Sequence, residues 1–530
     1  MRPTGRTLTL LALLTPLLAP AGARAAGFYI SDVGAHGIAR AGAFIAAPDD
    51  LLALHYNPAA LTLLGPGAHV TLNLVSDSLT FDFQRTCPCV DPALPNASQL
   101  DAGMASRFTA VKNVAAPQVT PYIAVAYQLP WYKLTLGLAS YAVTSPGRLK
   151  YGDRPLPGAT LQPNRYVLVD IELFEVYHQL AVAIEPIQGL RIGLVGMLYD
   201  FNVEQALHLW ANTSLNTDTS DPAKFEEGDW DIPTVISFEA PLRANWAAGI
   251  SYTPTFLPQL SVGVSALGRR SSRSKVGTAA ITLPEVPAAA VTIEGNAIEA
   301  ELNLPASYRF GAQWDQPQLF EFEVALVIEG WSAYDQVKIR GQDIFVINNA
   351  SGARDPFGMV VLPTGYTDTY SLRFGGELKM LEPYVDVRAG FYYEPSAIPA
   401  QLQDVAAPDL DKIGLAFGLG TTWYGMTVDL GINYVLYSER TITNSDRRLV
   451  TALPTGPKDM VTTTANGTYS GNHLILGASL GIAFDRLISS ISGDEEESSA
   501  PNAAPPAEKA PLAPPAEGSP ETQPPIGSES

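Results

Sequence analysis

One serine stands in a hydrolase-like setting: Gly477-Ala-Ser-Leu-Gly481 fits G-x-S-x-G, the pattern of a nucleophile on a sharp strand-to-helix turn. Ser479, however, falls midway through a regular alternation of apolar and small or polar residues, where no such turn forms. The chain is therefore read as a non-enzyme that needs no cofactor. The six histidines are scattered, and His36 and His55 are read as packing or hydrogen-bonding residues rather than ligands or bases. Cys87-Pro-Cys89 has no histidine or further cysteine nearby at ligand spacing, so no metal site is expected. Whether this loop pair closes a small, strained disulfide stays open.

The elements around these residues begin with export. Arg2 and Arg6, the apolar run Leu8 to Leu18 and the small-x-small site Ala23-Arg-Ala25 form a secretory signal over residues 1–25, with the mature chain starting at Ala26. The formal net charge of −20 argues against nucleic acid as a partner. Charged residues are only 16% and hydrophobic ones 46%, yet beyond residue 25 no apolar run reaches the ~18 residues of a membrane helix. Apolar residues spread in this way must recur periodically, and the period is two, as in strands with one apolar face.

Residues 26–66 do not alternate. A small-residue lead, Gly34-Ala-His-Gly-Ile-Ala-Arg-Ala-Gly42, precedes two predicted short helices, one capped by Asp49 and running through Leu54, the next opened by Asn57 and Pro58. This is read as a compact hatch ahead of a large sheet over 67–484.

In that sheet, six short connections, Gln128–Lys133, Glu185–Gly189, Thr253–Pro258, Asp315–Gln318, Lys379–Pro383 and Trp423–Met426, alternate with seven long ones. The long ones are 84–117, 146–167, 211–242, 277–300, 340–368, 395–412 and 438–472. The alternation predicts an all-β fold, a transmembrane antiparallel β-barrel of about 14 strands with both termini periplasmic. In lipid such a sheet must close, and its polar face becomes the lumen. Glu321, Glu323, Arg373, Glu377, Asp386, Arg388 and Asp429 fall on that face and are read as an ion-pair lattice, with Arg373 and Arg388 as candidate lumen cations.

Trp131, Tyr132, Trp314, Trp331, Tyr334, Trp423 and Tyr424 near strand ends are expected in interfacial girdles. Arg269, Arg270, Arg273 and Lys275 at an outer strand end suit lipopolysaccharide phosphates or a solvated rim rather than a substrate site. Trp210, Phe225 and Trp230, in or beside the 211–242 loop, suit a hydrophobic capture groove. Residues 485–530, with Asp494-Glu-Glu-Glu497 and repeated Ala-Pro, are read as a disordered acidic tail.

Several of these marks together resemble the FadL/TodX family of outer-membrane transporters of long-chain fatty acids and other hydrophobic compounds. They are Ala26-Gly-Phe28, Gly37-Ile-Ala-Arg-Ala41, Asp49-Asp50 leading into Asn57-Pro-Ala59, Leu302-Asn-Leu-Pro305, Trp331-Ser-Ala-Tyr334, Thr367-Asp-Thr-Tyr370 and Arg388-Ala-Gly-Phe-Tyr-Tyr-Glu-Pro-Ser396. The resemblance implies a 14-stranded barrel plugged by its N-terminal segment, passive uptake of fatty acids or aromatic hydrocarbons, and lateral release beside a kink in the third strand. It further implies that Ala26, Gly27 and Phe28 reach the ligand pocket and that Asn57, Pro58 and Ala59 form a structural hatch motif. Ser145, Pro146 and Gly147 either break pairing near this kink, since proline cannot donate to the sheet ladder and glycine admits bends, or begin the outer loop. The implied partners are a hydrophobic solute, the bilayer with its lipopolysaccharide, and the outer-membrane assembly machinery, and the implied state is a monomer. The competing readings are a general porin, which the hatch disfavours, and a loop-mediated adhesin.

Overall fold

The computed structural model describes residues 32–492 apart from most of 88–107 and residues 144–147, 153–161, 211–230, 284–290, 382–384 and 448–462. Fourteen antiparallel strands close on themselves. They are β1 (Gly67–Arg85), β2 (Gln118–Gln128), β3 (Thr135–Ala142), β4 (Asp170–Ile187), β5 (Leu190–Trp210), β6 (Asp231–Tyr252), and β7 (Leu260–Leu267, continued by Arg270–Ile281). Then come β8 (Ala297–Leu304 and Ser307–Gln316), β9 (Phe320–Glu329, continued by Gln336–Gly341), β10 (Met359–Pro363 and Thr369–Leu381), β11 (Val385–Glu394), β12 (Lys412–Trp423), β13 (Met426–Tyr437) and β14 (Gly467–Ala483). Closure runs from His69 opposite Ala483 to Arg85 opposite Gly467, so the first and last strands pair with each other instead of standing as free edges.

The period-two pattern orients the wall. Leu136, Leu138, Leu180, Leu194, Phe374 and Leu430 point outward and are exposed, whereas their neighbours in sequence turn into the lumen and are buried. Trp131, Tyr132, Trp423 and Tyr424 are exposed at the short turns, as expected of a girdle. Trp331 is different: it is fully buried and packs inside the barrel with Tyr366, Ala397 and Ile398, with Tyr334 beside them. The strand end that carries it folds inward, so proximity to a strand end does not by itself put an aromatic ring in the lipid interface. Parts of 277–300 and 340–368, expected as loops, extend barrel strands or form a small sheet of Val291–Glu294, Phe345–Asn348 and Arg354–Pro356.

The hatch fills the lumen. It contains α1 (Ala35–Ala39), α2 (Ala53–Tyr56) and a 3-10 turn over Pro58–Leu63, and almost all its residues are buried. The glycine-rich lead, expected to be irregular, holds α1, because packing overrides weak propensity there. Asp50, rather than Asp49, accepts the turn's amide, from Leu52 N at 2.7 Å. Asn57 caps the next turn through Ala59 N at 3.2 Å. Beyond the last strand, Phe484–Ser492 forms a third helix, α3, where the sequence suggested the start of the tail. Its apolar residues Phe484, Leu487, Ile488 and Ile491 recur at helical spacing, a pattern that proline-rich sequence further on masks.

Candidate functional site in the lumen

The hatch is seated by two kinds of contact. On the β10–β14 side the wall presents glycines where α1 comes closest. A Cβ on Gly390 would lie 2.4 Å from the Arg40 carbonyl carbon, and one on Gly431 would lie 2.4 Å from Ala35 O. Charge then ties the contact. Arg373 Nη1 donates to Asp32 at 2.5 Å and Nη2 to Glu394 at 3.2 Å; Arg40 bonds Glu321, which also meets Lys379 Nζ at 2.8 Å. Arg388 is shared between Glu377 at 2.5 Å and Asp429 at 2.6 Å. His36 lies 3.1 Å from Asp50 and 3.4 Å from Glu377. Burial and Arg388 lower its affinity for a proton, but the two carboxylates outweigh them and push its pKa up to about 10, so the ring is charged at neutral pH. Backbone amides of the hatch are met as well: Glu323 accepts from Ile45 N at 2.7 Å, and Asn73 from Ala35 N at 3.0 Å.

On the β2–β6 side the wall is aromatic and apolar. Tyr122, Tyr141, Tyr177 and Tyr199 are directly opposed in successive strand pairs. Their ring centroids are 4.8, 5.3 and 6.4 Å apart along the row, within the range of favourable aromatic pairs. This ladder packs on Leu51, Leu54, Tyr56 and Leu61 of the hatch. Val143, just past β3, touches both this cluster and the Trp331–Tyr366 cluster under the outer loops. An apolar surface therefore runs unbroken from the outer loops to the hatch.

Beside the ladder, the pairing of the described residues of β3 stops at different rungs on its two sides. Pairing of β3 with β2 ends at Tyr122–Tyr141, and pairing with β4 ends at Ala142–Val176. Arg148–Lys150 pairs with β4, and on its other side Lys150 O accepts from Val114 N at 2.7 Å and Lys150 N donates to Asn113 Oδ1 at 2.9 Å. At the inner lip, Tyr141 OH receives Gln179 Nε2 at 3.0 Å and bonds His55 Nδ1 at 2.9 Å, and Arg309 Nη2 lies 3.1 Å from His55 Nε2.

Of the residues expected from sequence, Ala26, Gly27 and Phe28 lie outside the described residues, as do Ser145, Pro146 and Gly147. Asn57 is fully buried, and its Nδ2 donates to Ile45 O at 2.8 Å. Pro58 and Ala59 sit against Gly193. Arg373 and Arg388 do face the lumen, but both are engaged by protein carboxylates. Ser479 lies within β14 opposite Asn73 and donates to Asp429 at 2.7 Å, on a strand rather than an elbow. Cys87 is disulfide-bonded, and the only other cysteine in the chain is Cys89, outside the described residues. The tyrosine ladder and the inward glycines went unread in the sequence. Their signal was there: tyrosines on the lumen-facing phase of four consecutive strands, and glycines on that phase opposite an alanine-rich hatch.

The family described as "Outer membrane protein transport protein (OMPP1/FadL/TodX)" matches residues 245–484. No curated protein sequence matches the chain. Among solved structures, a Pseudomonas aeruginosa FadL homologue is similar at 14% identity and a TM-score of 0.64, over 87% of this chain and 100% of that one. The P. putida toluene transporter TodX is similar at 15% identity and 0.58, over 86% and 99%. The Ralstonia pickettii toluene transporter TbuX is similar at 14% identity and 0.55, over 86% and 99%. The plugged, closed barrel is thus of the FadL type, and the resemblance to the FadL/TodX family read from the sequence holds.

Proposed function

We propose that the chain is an outer-membrane channel for passive uptake of hydrophobic molecules, long-chain fatty acids or aromatic hydrocarbons. The observation that carries this reading is the continuous apolar surface from Trp331 and Tyr366, through Val143, to the tyrosine ladder and the hatch. A porin would need a water-filled lumen, whereas residues 32–64 fill this one. Solute captured under the outer loops moves along the ladder to a pocket against the hatch, with Phe28 reaching into it, and leaves sideways where β3 parts from β2. Such a route keeps an apolar solute out of water throughout and needs no gradient beyond its own. The relatives named as toluene transporters support the solute class.

The test is saturable binding to purified, refolded barrel of a long-chain fatty acid beside an aromatic hydrocarbon. Binding of either supports the channel and selects its solute. Absence of binding for both, together with steady ion conductance in a planar bilayer, would replace it with the porin.

A further inference from the structure

Ser140 and His178 interrupt the lipid-facing wall. Consecutive residues of a strand point to opposite faces, so Tyr141 and Gln179 turn inward while Ser140 and His178 turn out, both exposed. The two are directly opposed on β3 and β4, with Ser140 Oγ 3.1 Å from His178 Nδ1. The same pair of strands therefore carries a hydrogen-bonded polar pair on each side of the wall, at consecutive positions. Both pairs stand at the end of β2–β3 pairing, since Ile123–Ser140 is the rung next to the last one, Tyr122–Tyr141.

The outer pair lies in a depression of about 700 Å³ lined by Ile123, Leu138, Leu180, Leu198 and Gly196. Gly196 contributes to its depth, because a Cβ there would meet nothing within 4 Å. Gln179 and Met197 border both this depression and a small lumen cavity beside His55 and Arg309. The rise of a tilted strand puts Ser140 about 17 Å from the Trp131–Lys133 turn, within an apolar band about 25 Å tall. An imidazole and a hydroxyl facing hydrocarbon are costly, and intramembrane polar groups of this kind mark solute pathways. Among the described residues, Ser140 is the one hydrogen-bond partner given to His178, which leaves Nε2 to bond a ligand.

We infer that Ser140 and His178 form an exit station for an amphiphile with a carboxylate head and a long apolar tail. The head passes from Tyr141 and Gln179 inside to His178 and Ser140 outside as the tail slides into the depression. This inference rests on the proposed channel and sharpens its solute: a carboxylate uses the station, whereas toluene has no group to offer it.

The test compares uptake of a long-chain fatty acid with uptake of an aromatic hydrocarbon in cells carrying the full chain or its variants. His178→Leu, combined with Ser140→Ala, should lower the fatty-acid-to-hydrocarbon uptake ratio by fivefold or more, and His178→Gln should restore much of it. The double variant should also be at least as resistant to thermal unfolding as the parent, since it removes polar groups from the lipid face; a purely structural pair would lose stability instead. A photoreactive fatty acid should label the β4 peptide holding His178, and a disulfide closing the gap between β2 and β3 should abolish that labelling. Labelling that persists through the closed gap would assign the depression to membrane lipid and overturn the inference. An unchanged uptake ratio with normal fatty-acid uptake would overturn the inference alone, whereas a parent chain that takes up neither compound would remove the channel reading with it.

Discussion

Around α1 the hatch lies against glycines of β11 and β13 and is tied to the wall by the Arg373–Asp32, Arg40–Glu321 and His36–Glu377 pairs. Around α2 and the following turn it meets tyrosines and alanines, and the charged contact there is Arg309 bonding the His55 carbonyl at 2.5 Å. Charged pairs in a buried setting fix geometry, because separating them strands a charge. Apolar contacts tolerate sliding, because any hydrocarbon can replace the one displaced. One side of the lumen therefore holds the hatch, and in the proposed channel the other exchanges hatch contacts for solute.

The largest effect should come from breaking the holding side. Arg373→Ala leaves Asp32 buried without its cation, while Glu394 keeps Lys412 Nζ at 3.3 Å, and should cost about 3–5 kcal/mol. In denaturant the hatch should be lost before the barrel, and ion conductance should appear. Gly431→Leu comes next: its side chain has no room beside Ala35 O, and overpacking of this kind costs about 1–3 kcal/mol. Protease should then reach the hatch while the barrel keeps its heat-modifiable mobility. On the exchanging side, Tyr141→Ala should weaken hydrophobic ligand binding roughly tenfold, about 1.4 kcal/mol, and lower barrel stability through the lost packing, but leave the hatch seated. Tyr141→Phe, which keeps the ring, should retain most of the affinity. If Tyr141→Ala instead unseated the hatch, the distinction between the two sides would fail.

A smaller effect is expected in the outer loop. Asp409 is fully buried; it accepts from Ala397 N at 2.6 Å and lies 3.0 Å from Lys412. Burial pushes its carboxyl up to about 7, against the opposing pull of Lys412 and the Ala397 amide. A carboxyl whose folded value is raised stabilises the loop fully below its unfolded value near 4, and that contribution is lost as pH rises through 7. Protease cleavage at 395–411 should therefore be faster at pH 8.5 than at pH 5, relative to an Asp409→Asn control that stays neutral throughout.

Much of the barrel was legible because strand period and turn length are local properties. The six short turns and the opposed faces of β11, β13 and β14 could be read from residues a few positions apart. The charge lattice was legible for the same reason, since Arg373, Glu377 and Arg388 fall on one phase of the alternation. What escaped depends on distant residues meeting. Tyr122 and Tyr199 join one ladder only after three strand registers are set. The inward fold that buries Trp331 needs the outer loops in place, and α1 is stable only against glycines roughly 350 to 440 residues further along. The outer pair of Ser140 and His178 was hidden because polar residues on the apolar phase read as noise in a periodic pattern.

The central claim is that solute leaves through the gap between β2 and β3. Continuing their register past Tyr122–Tyr141 brings Thr120 opposite Val143, so cysteines at these two positions would staple the gap. With the disulfide formed, uptake of a labelled hydrophobic compound should fall to background and recover on reduction, while binding to the purified barrel stays saturable, with the same affinity before and after reduction. Uptake that continues at the parent rate with the disulfide intact would contradict lateral release.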